Sequence, residues 1–328
     1  MNTRVLGASL TVSPVGLGCM GFSHAYGTAM DEAEAVRTIR SAVDAGYTFF
    51  DTAECYTGEN ADGSTSYNEE LVGKALSGVR KSVKVATKFG VQHGKGSLIT
   101  DSRPETIRKS VDGSLKRLGI DVIDLYYQHR IDSKVPAEDV AGTIADLIRE
   151  GKILHWGISE TDEAYLRRAH AVCPVTCIQN RYSMMARWHE NLFPVLEELN
   201  VGYVAFSPLA NGILSDSFKA GATFEKGDFR SFMPQYSDEA FEQNQALLSL
   251  IRSLSEEKQA TPAQISLAWM LCKKPYIVPI PGSRKLERIK ENIGAADIIL
   301  TAEEVAKIDE KLDHMEMSEV FGGSPIRR

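Results

Sequence analysis

Three neighbouring apolar runs of the sequence each end in a residue that can take part in acid–base chemistry. The three residues are Asp51, Lys88 and His129, and Tyr56 lies in the loop that follows Asp51. A single charged residue at the end of an apolar run is usually a solvated boundary. Three successive runs that all end this way favour a functional site, because burying unpaired charges is costly.

Together, these four side chains have the chemistry needed to protonate a carbonyl oxygen during its reduction. A tyrosine phenol ionises near a pKa of about 10, so it needs help to act as a general acid at neutral pH. A lysine ammonium lowers that pKa by stabilising the phenolate, and a carboxylate holds the lysine in place. A neutral histidine can donate a hydrogen bond to the carbonyl. No side chain supplies a hydride, so a nicotinamide cofactor is implied.

Short β-branched or aromatic segments alternate along the chain with amphipathic segments of helical period. The predicted strands are 15–18, 48–51, 83–88, 122–129, 153–159, 176–179, 201–207 and 276–280. The predicted helices include 31–45, 103–118, 137–150 and 192–200. This rhythm predicts an α/β fold, a (β/α)8 TIM barrel whose active site lies at the carboxyl ends of the strands. A doubly wound sheet is the alternative that periodicity does not exclude.

Individual residues predict where helices begin and end and where a hairpin forms. Asp31 opens the first helix, and Gly46, Gly119 and Gly151 follow helix ends that need a positive φ. Two short apolar segments around Gly7-Ala8-Ser9 predict an N-terminal β-hairpin at the barrel floor.

One connection is too long for an ordinary βα loop. Segment 208–239 is rich in Gly, Ser, Phe and charged residues, and we expect it to carry function or mobility. The sequence contains no linker and no internal repeat, so residues 1–328 are predicted to form a single domain.

The composition narrows the possible partners. The chain has 328 residues, of which 43% are hydrophobic and 25% charged, as in a packed globular protein. Its net charge of −7 disfavours nucleic acid as a partner. No apolar run approaches the ~18 residues of a membrane span, and the N-terminus lacks the apolar block of a signal peptide. We therefore expect a cytoplasmic protein that acts on a small molecule and has no membrane partner.

The sequence offers no convincing metal site. Cys173 and Cys177 have no downstream Cys/His pair to complete a zinc site. His189-Glu190 begins like an HExxH motif, but Phe193 stands where the second histidine would be. The five cysteines are too few and scattered for a disulfide framework.

A G-x-G-x-x-G motif at residues 16–21 follows a predicted strand. In a dinucleotide-binding fold, a helix would begin there and bind the pyrophosphate at its N-terminus. The sequence instead continues irregularly, and the next helix is predicted to start near Asp31. We therefore interpret the motif as a tight passage from strand to loop.

Eight motifs in order resemble those of the aldo-keto reductase family over residues 4 to about 292. They are L-G-x-S-L-x-V-S-P-x-G-L-G-C-M from Leu6, F-D-T-A-x-x-Y from Phe50, A-T-K from Ala86, D-L-Y-x-Q-H-R-x-D from Asp124, G-I-S from Gly157, Q-x-x-Y-S from Gln179, F-S-P-L-x-x-G from Phe206, and P-G-S-R from Pro281 with R-x-x-E-N from Arg288. The resemblance implies a (β/α)8 barrel and NADPH-dependent carbonyl reduction by an Asp-Tyr-Lys-His tetrad. That tetrad falls on Asp51, Tyr56, Lys88 and His129.

The resemblance also implies which residues hold the nicotinamide end of the cofactor. Ser159 and Gln179 would bind the nicotinamide carboxamide, and Met20 and Asp51 would line the ribose side. Phe206 stands where the family usually stacks a tyrosine or tryptophan on the nicotinamide ring, and a phenyl face can serve the same purpose.

The rest of the cofactor would follow two further segments. Ser207, Leu209 and Asn211 would run along the pyrophosphate. The C-terminal segment would surround the 2′-phosphate with Gly282, Arg284 and Arg288, and the adenine with Glu291 and Asn292. Guanidinium groups suit a phosphate because their planar N–H donors match its oxygens.

The chain departs from the family pattern at a few positions. Glu160 stands where many relatives have Asn, and Asp216-Ser217 where some have a lysine that clamps the pyrophosphate. Thr57 precedes Gly58 after the catalytic tyrosine, and residues 59–64 lengthen that loop. Cys55 is either a redox-sensitive thiol or a small buried hydrophobe.

Three functions compete. The first is an NADPH-dependent reductase of aldehydes or ketones. The second is a cofactor-sensing regulatory subunit on the same fold, against which the intact tetrad argues. The third is a barrel hydrolase or isomerase that uses Asp51 and His129 without nicotinamide. Neither the substrate nor the oligomeric state follows from the residue pattern.

Overall fold

The computed structural model describes residues 3–94, 96–324 and 326. Among these residues, eight parallel strands form one sheet in sequential order. We number them β1 to β8: Leu17–Gly18, Phe49–Asp51, Lys84–Phe89, Ile123–Gln128, Ile153–Ser159, Cys177–Arg181, Gly202–Phe206 and Ile277–Pro279. Each agrees with its predicted strand to within two residues at either end.

The sheet closes on itself between its first and last strands. The amide of Gly16 donates to the carbonyl of Pro279 at 2.9 Å, and the amide of Gly18 donates to that of Pro281 at 3.2 Å. A Cβ atom on Gly18 would lie 2.7 Å from the carbonyl oxygen of Ile280, so this seam needs glycine. The closure confirms the predicted barrel and excludes the doubly wound sheet.

Helices cover the outside of the barrel. Within the described residues they are α1 to α11: Glu32–Asp44, Asn68–Leu76, Pro104–Leu118, Ala137–Arg149, Glu163–Val172, Phe193–Leu199, Asp238–Gln243, Gln245–Lys258, Pro262–Lys273, Leu286–Ile293 and Ala302–Asp313. The side chain of Asp31 caps α1 by accepting from the amide of Glu34 at 3.0 Å. The glycines predicted at helix ends have positive φ angles, for example 63° at Gly119 and 75° at Gly151.

The predicted hairpin is present, with strands Arg4–Leu6 and Leu10–Val12 paired antiparallel. Leu6 packs closely against Gly202 at the start of β7, and Gly7 packs against the backbone of Thr176 just before β6. The hairpin therefore covers the amino ends of the strands, which form the barrel floor. Its buried leucines join the apolar interior of the barrel.

The G-x-G-x-x-G motif does not open a helix. A single 3-10 turn, Met20–Phe22, follows β1, and α1 begins only at Glu32. The motif is thus a strand-to-loop passage, as predicted.

The long connection after β7 folds across to the first loop of the barrel mouth. The amide of Phe229 donates to the carbonyl of Ala25 at 2.9 Å, and Tyr26 and Asp228 form an isolated β-bridge. Arg230 lies over the rings of three aromatic residues, with its Cζ atom 4.7 to 5.3 Å from their centroids. The segment is therefore packed in place over the mouth, and its functional role stays a prediction.

No helix within the described part of the chain is long and apolar enough to cross a membrane.

Two glycines in helix interiors give a matched test of packing. A Cβ atom on Gly73 in α2 would overlap the carbonyl oxygen of Leu118, whereas one on Gly142 in α4 meets no described atom within 4 Å. We expect Gly73→Ala to lower the free energy of unfolding by about 1–3 kcal/mol. Gly142→Ala should raise it by about 0.5–1 kcal/mol, since alanine is the better helix former.

Denaturant unfolding followed by circular dichroism measures both changes. A stabilised Gly73→Ala protein would show that α2 and the end of α3 are not packed as closely as described.

Candidate active site

The four predicted catalytic residues meet at one mouth of the barrel. Asp51 is the last residue of β2, His129 directly follows β4, and Lys88 is the penultimate residue of β3. The Nζ atom of Lys88 lies 2.5 Å from Oδ1 of Asp51 and 3.3 Å from the phenolic oxygen of Tyr56. It also donates to the carbonyl of Thr52 at 2.8 Å. Lys88 therefore joins the carboxylate to the phenol.

Burial decides the charge states of this pair. Lys88 and Asp51 are 0% and 3% exposed. Burial raises the pKa of Asp51, against the opposing charge of Lys88 and a hydrogen bond from Gln179. Burial disfavours the ammonium of Lys88, but the charges of Asp51 and Tyr56 outweigh it and raise its pKa. A buried lysine with a raised pKa stays protonated, so it remains a cation beside the phenol.

The phenol and the imidazole beside it are both neutral. Burial raises the pKa of Tyr56, and the nearby Lys88 ammonium opposes that rise. Burial holds the pKa of His129 well below its usual range, and the charges of Arg130 and Lys88 lower it further. The rings of Tyr56 and His129 meet edge to face with centroids 5.6 Å apart. A protonated phenol and a neutral imidazole can both donate to one oxygen atom.

Cys55 touches the predicted catalytic histidine, and its Sγ atom lies 3.4 Å from Nδ1 of His129. Burial raises the pKa of this thiol to about 12. A reactive cysteine needs a lowered pKa, so Cys55 is a buried thiol rather than an activated one. Its S–H group can donate to Nδ1, which would leave the proton of the neutral imidazole on Nε2.

The predicted nicotinamide residues lie on strands beside the tetrad. Gln179 in β6 is paired in register with Ser159, the last residue of β5. The side-chain amide of Gln179 donates to Oδ2 of Asp51 at 2.8 Å, so it links the predicted cofactor site to the tetrad. The hydroxyl of Ser159 accepts from Nη1 of Arg130 at 3.1 Å. Phe206 ends β7 next to them.

The loop after β7 is locally strained. Ser207, Ala210 and Asn211 have φ angles of 50°, 48° and 61°, which residues with a side chain rarely adopt. Leu209 packs partly buried against the core, and the carbonyl of Asn211 accepts from the Tyr236 hydroxyl at 2.7 Å. Such strain persists where the surroundings enforce it, often at binding sites. Met20, partly exposed, opens the turn after β1.

Gly282 and Arg284 follow β8. A Cβ atom on Gly282 would lie 2.6 Å from the carbonyl oxygen of Gly18, so packing at the barrel seam alone accounts for this glycine. Nε of Arg284 donates to the carbonyl of Gly21 at 2.5 Å, while its Nη2 is buried without a hydrogen-bond partner among the described residues. A buried N–H donor without a partner is suited to an anionic ligand.

The remaining predicted adenosine residues belong to α10. Nη1 of Arg288 pairs with Glu291 at 2.7 Å, and Nη2 lies 3.2 Å from the hydroxyl of Ser217. Glu291 also accepts from the Thr261 hydroxyl at 2.6 Å. Asn292 is 3% exposed. The Arg288 side chain is thus 42% exposed and paired with Glu291 on its own helix, whereas Asn292 is buried.

The departures from the family pattern have structural counterparts. Glu160 has a φ of 54°, a conformation that asparagine tolerates better, and it accepts from the Arg181 amide at 2.9 Å. The lengthened loop after Tyr56 forms a hairpin of Thr57–Glu59 and Thr65–Tyr67. Asp216 pairs with Arg252 at 2.6 Å.

Reasoning from the sequence gave no role to two arginines and an asparagine at this mouth. Arg130 and Arg181 both lie near the ring of Phe206. Asn68 is buried, accepts from the Thr52 hydroxyl at 2.7 Å and donates to the carbonyl of Cys19 at 2.9 Å. Both arginines lie within the recognisable motifs, but nothing in the sequence shows that the Arg181 guanidinium lacks a hydrogen-bond partner among the described residues. Asn68 belongs to no motif that the sequence analysis recognised.

Among the described residues, no three His, Cys, Asp or Glu side chains are grouped as a metal site would require.

Comparison with known proteins identifies the family of the chain. A sequence model of the Aldo/keto reductase family matches residues 14–313. The chain therefore belongs to the aldo/keto reductase family. It is an oxidoreductase that acts on aldehyde or ketone groups.

Several solved structures are similar over nearly the whole chain. The glycerol dehydrogenase AKR11B4 from Gluconobacter oxydans is 29% identical, with 95% of each chain covered and a TM-score of 0.83. The holo form of the aldo-keto reductase AKR11C1 from Bacillus halodurans is 29% identical, with 98% of each chain covered and a TM-score of 0.76. An aldo/keto reductase from Klebsiella pneumoniae, in complex with NADP and acetate, is 27% identical over 94% of this chain and 95% of that chain, with a TM-score of 0.70.

Proposed function

We propose that this protein reduces aldehydes or ketones to alcohols with NADPH, and that Tyr56 donates the proton. The observation that carries this proposal is the position of the Lys88 ammonium between the Asp51 carboxylate and the Tyr56 hydroxyl. That contact stabilises the phenolate that remains after the proton has left. Membership in the aldo/keto reductase family supports the same reaction.

The residues present fit a nicotinamide cofactor. Gln179 and Ser159 offer an amide and a hydroxyl beside the tetrad, and Phe206 offers a flat face. The buried Nη2 of Arg284 lacks a partner within the described residues, which suits the extra phosphate of NADPH. When bound, NADPH supplies the hydride that no side chain can provide. The NADP complex of the Klebsiella relative supports this choice of cofactor.

The protein's own residues then carry the proton chemistry. Neutral His129 donates a hydrogen bond that orients the carbonyl oxygen, and the Tyr56 hydroxyl gives that oxygen its proton. The Lys88 ammonium stabilises the phenolate left behind, and Asp51 holds the ammonium in position. Because these groups are buried, their charges act with little screening by water.

The other expectations stay proposals. We propose a small carbonyl compound as substrate, a cytoplasmic location and one domain over residues 1–328. The match to the family over residues 14–313 supports the single domain, and five unpaired cysteines suit a reducing compartment. No observation favours the cofactor-sensing subunit or the hydrolase.

Removal of the Tyr56 hydroxyl tests the proton donor. We expect Tyr56→Phe to lower kcat for aldehyde reduction by at least about 10²-fold, because general acid catalysis typically contributes that much. The dissociation constant of NADPH should change little. The matched control is Tyr126→Phe, because the buried Tyr126 hydroxyl has no partner among the described residues. Near-normal turnover of Tyr56→Phe would rule out Tyr56 as the donor.

Removal of the Lys88 charge tests how the phenol is tuned. Alcohol oxidation needs the Tyr56 phenolate, so its rate rises with pH as the phenol ionises. The ammonium lowers the Tyr56 pKa, so Lys88→Met should move this rise to higher pH and lower the rate at neutral pH. Lys84→Met, on the same strand but paired with Asp124 at 3.3 Å, is the control.

The comparison is made from kcat as a function of pH, with folding checked by circular dichroism. A Lys88→Met protein that keeps the parent pH profile would show that Lys88 does not tune Tyr56.

The two C-terminal arginines are expected to distinguish NADPH from NADH. A hydrogen bond to a charged group is worth about 1.5–3 kcal/mol, so Arg284→Ala or Arg288→Ala should weaken NADPH binding by roughly tenfold or more. NADH lacks the 2′-phosphate, and its affinity should barely change. Quenching of protein fluorescence measures both dissociation constants. Lys290→Ala is the control, because Lys290 is exposed on the same helix as Arg288. Equal losses for both cofactors would assign these arginines to the fold.

A further inference from the structure

Arg181 is a buried cation without a described partner. It is the last residue of β6 and is 4% exposed. Its Nε and Nη1 atoms are buried and make no hydrogen bond with any described residue. Buried charges are normally paired, because an unpaired ion loses its hydration without compensation. An arginine left in this state at the mouth of an active site is suited to binding an anionic ligand.

The surroundings of Arg181 do not neutralise it. Its Cζ atom lies 4.9 Å from the centroid of the Phe206 ring and 6.0 Å from that of Phe321. The Glu160 carboxylate accepts from the backbone amide of Arg181 and not from its guanidinium. Burial lowers the pKa of Arg181 to about 10 against the opposing charge of Glu160, so the side chain is still a cation at neutral pH.

Arg130 brings a second guanidinium to the same place. It directly follows the catalytic His129, and its Nη1 atom donates to the His129 carbonyl at 2.6 Å and to the Ser159 hydroxyl at 3.1 Å. Its Cζ atom lies 5.8 Å from the Phe206 ring. Among the described residues, the hydrogen bonds of its guanidinium go to this carbonyl and this hydroxyl and not to a carboxylate. Phe206 therefore lies near two guanidinium groups, and neither donates a hydrogen bond to a carboxylate among the described residues.

We propose that Arg181, together with Arg130, binds a carboxylate of the substrate, so that the protein prefers aldehydes or ketones that carry an anionic group. The inference rests on the proposed function, because the carbonyl of such a substrate would have to react at Tyr56. Guanidinium donors are arranged in a planar fork that fits the two oxygens of a carboxylate. The Phe206 ring lies within 5.8 Å of both guanidinium groups and makes their surroundings less polar, which strengthens the attraction.

The cofactor pyrophosphate is the competing anion. The residues expected to follow it, 207–211, lie on the loop after β7, whereas Arg130 is fixed to the backbone of catalytic His129 and to Ser159. Arg284 and Arg288 already offer cations on the cofactor side of the mouth. Arg130 is therefore next to the proposed reaction centre, Arg181 lies near the same Phe206 ring, and this arrangement favours a substrate anion.

The test uses two aldehydes of nearly equal shape, 4-carboxybenzaldehyde and its methyl ester, which differ by one charge. We expect the parent protein to reduce the carboxylate with the higher kcat/KM, and this preference should shrink as salt is added. Arg181→Met should lower the carboxylate-to-ester ratio of kcat/KM by roughly tenfold or more, mainly through KM. Arg181→Lys, which keeps the charge but loses the fork, should give an intermediate ratio.

The control is Arg167→Met, which removes the same charge from an exposed pair with Glu198 and should leave the ratio unchanged. Calorimetric binding of benzoate to the protein with NADP+ gives a readout without turnover, and Arg181→Met should weaken it. Equal losses for both aldehydes together with weaker NADPH binding would assign Arg181 to the cofactor and overturn the proposal. An unchanged ratio would also overturn it.

The parent protein decides the question even if Arg181→Met does not fold. Reduction of the ester as efficiently as the carboxylate would overturn the anion preference while leaving the reductase function intact. Reduction of neither aldehyde, and of no other aldehyde or ketone supplied with NADPH, would instead contradict the proposed function itself.

Discussion

The buried ion pair between Lys88 and Asp51 is the interaction on which the rest of the site depends. Neither charge could remain in an interior this dry without the other, and breaking such a pair typically destabilises a protein by about 3–5 kcal/mol. The pair also fixes the geometry of its neighbours. Asp51 accepts from Gln179 through its second oxygen, and Lys88 reaches both Thr52 and Tyr56. One electrostatic contact thus positions both Tyr56, the proposed proton donor, and Gln179, a proposed cofactor residue.

The barrel makes that contact possible. The carboxyl ends of parallel strands meet at one rim of the barrel. Residues that are distant in the sequence therefore become neighbours whatever the conformation of the loops between them. Asp51 and Lys88 are on adjacent strands, β2 and β3, whose pairing sets the distance between them. The close seam at Gly18 and Gly282 joins the first strand to the last and completes the ring of strands.

Much of this arrangement could be predicted from sequence because it depends on local patterns. Strand and helix positions follow hydrophobic period, and the tetrad follows from polar residues at strand ends. Gly282 shows a limit of reasoning from sequence patterns. The family pattern suggests that Gly282 contacts a phosphate, but the close packing of Gly282 on Gly18 requires a glycine there whether or not a phosphate binds. Arg181 shows another. Whether a charge has a partner depends on tertiary distances, which no single-sequence pattern contains. Asn68, buried between two loops, is hidden for the same reason.

The hairpin at the barrel floor has a consequence for how such a protein can diversify. Because Leu6 and Gly7 seal the amino ends of the strands, the residues that hold the fold together and those that meet ligands occupy opposite poles. Loops at the open pole can lengthen, as the one after Tyr56 has, without loosening the closed one. A stable barrel of this kind can therefore acquire new substrates through changes in the loops at one rim, while the rest of the fold stays the same.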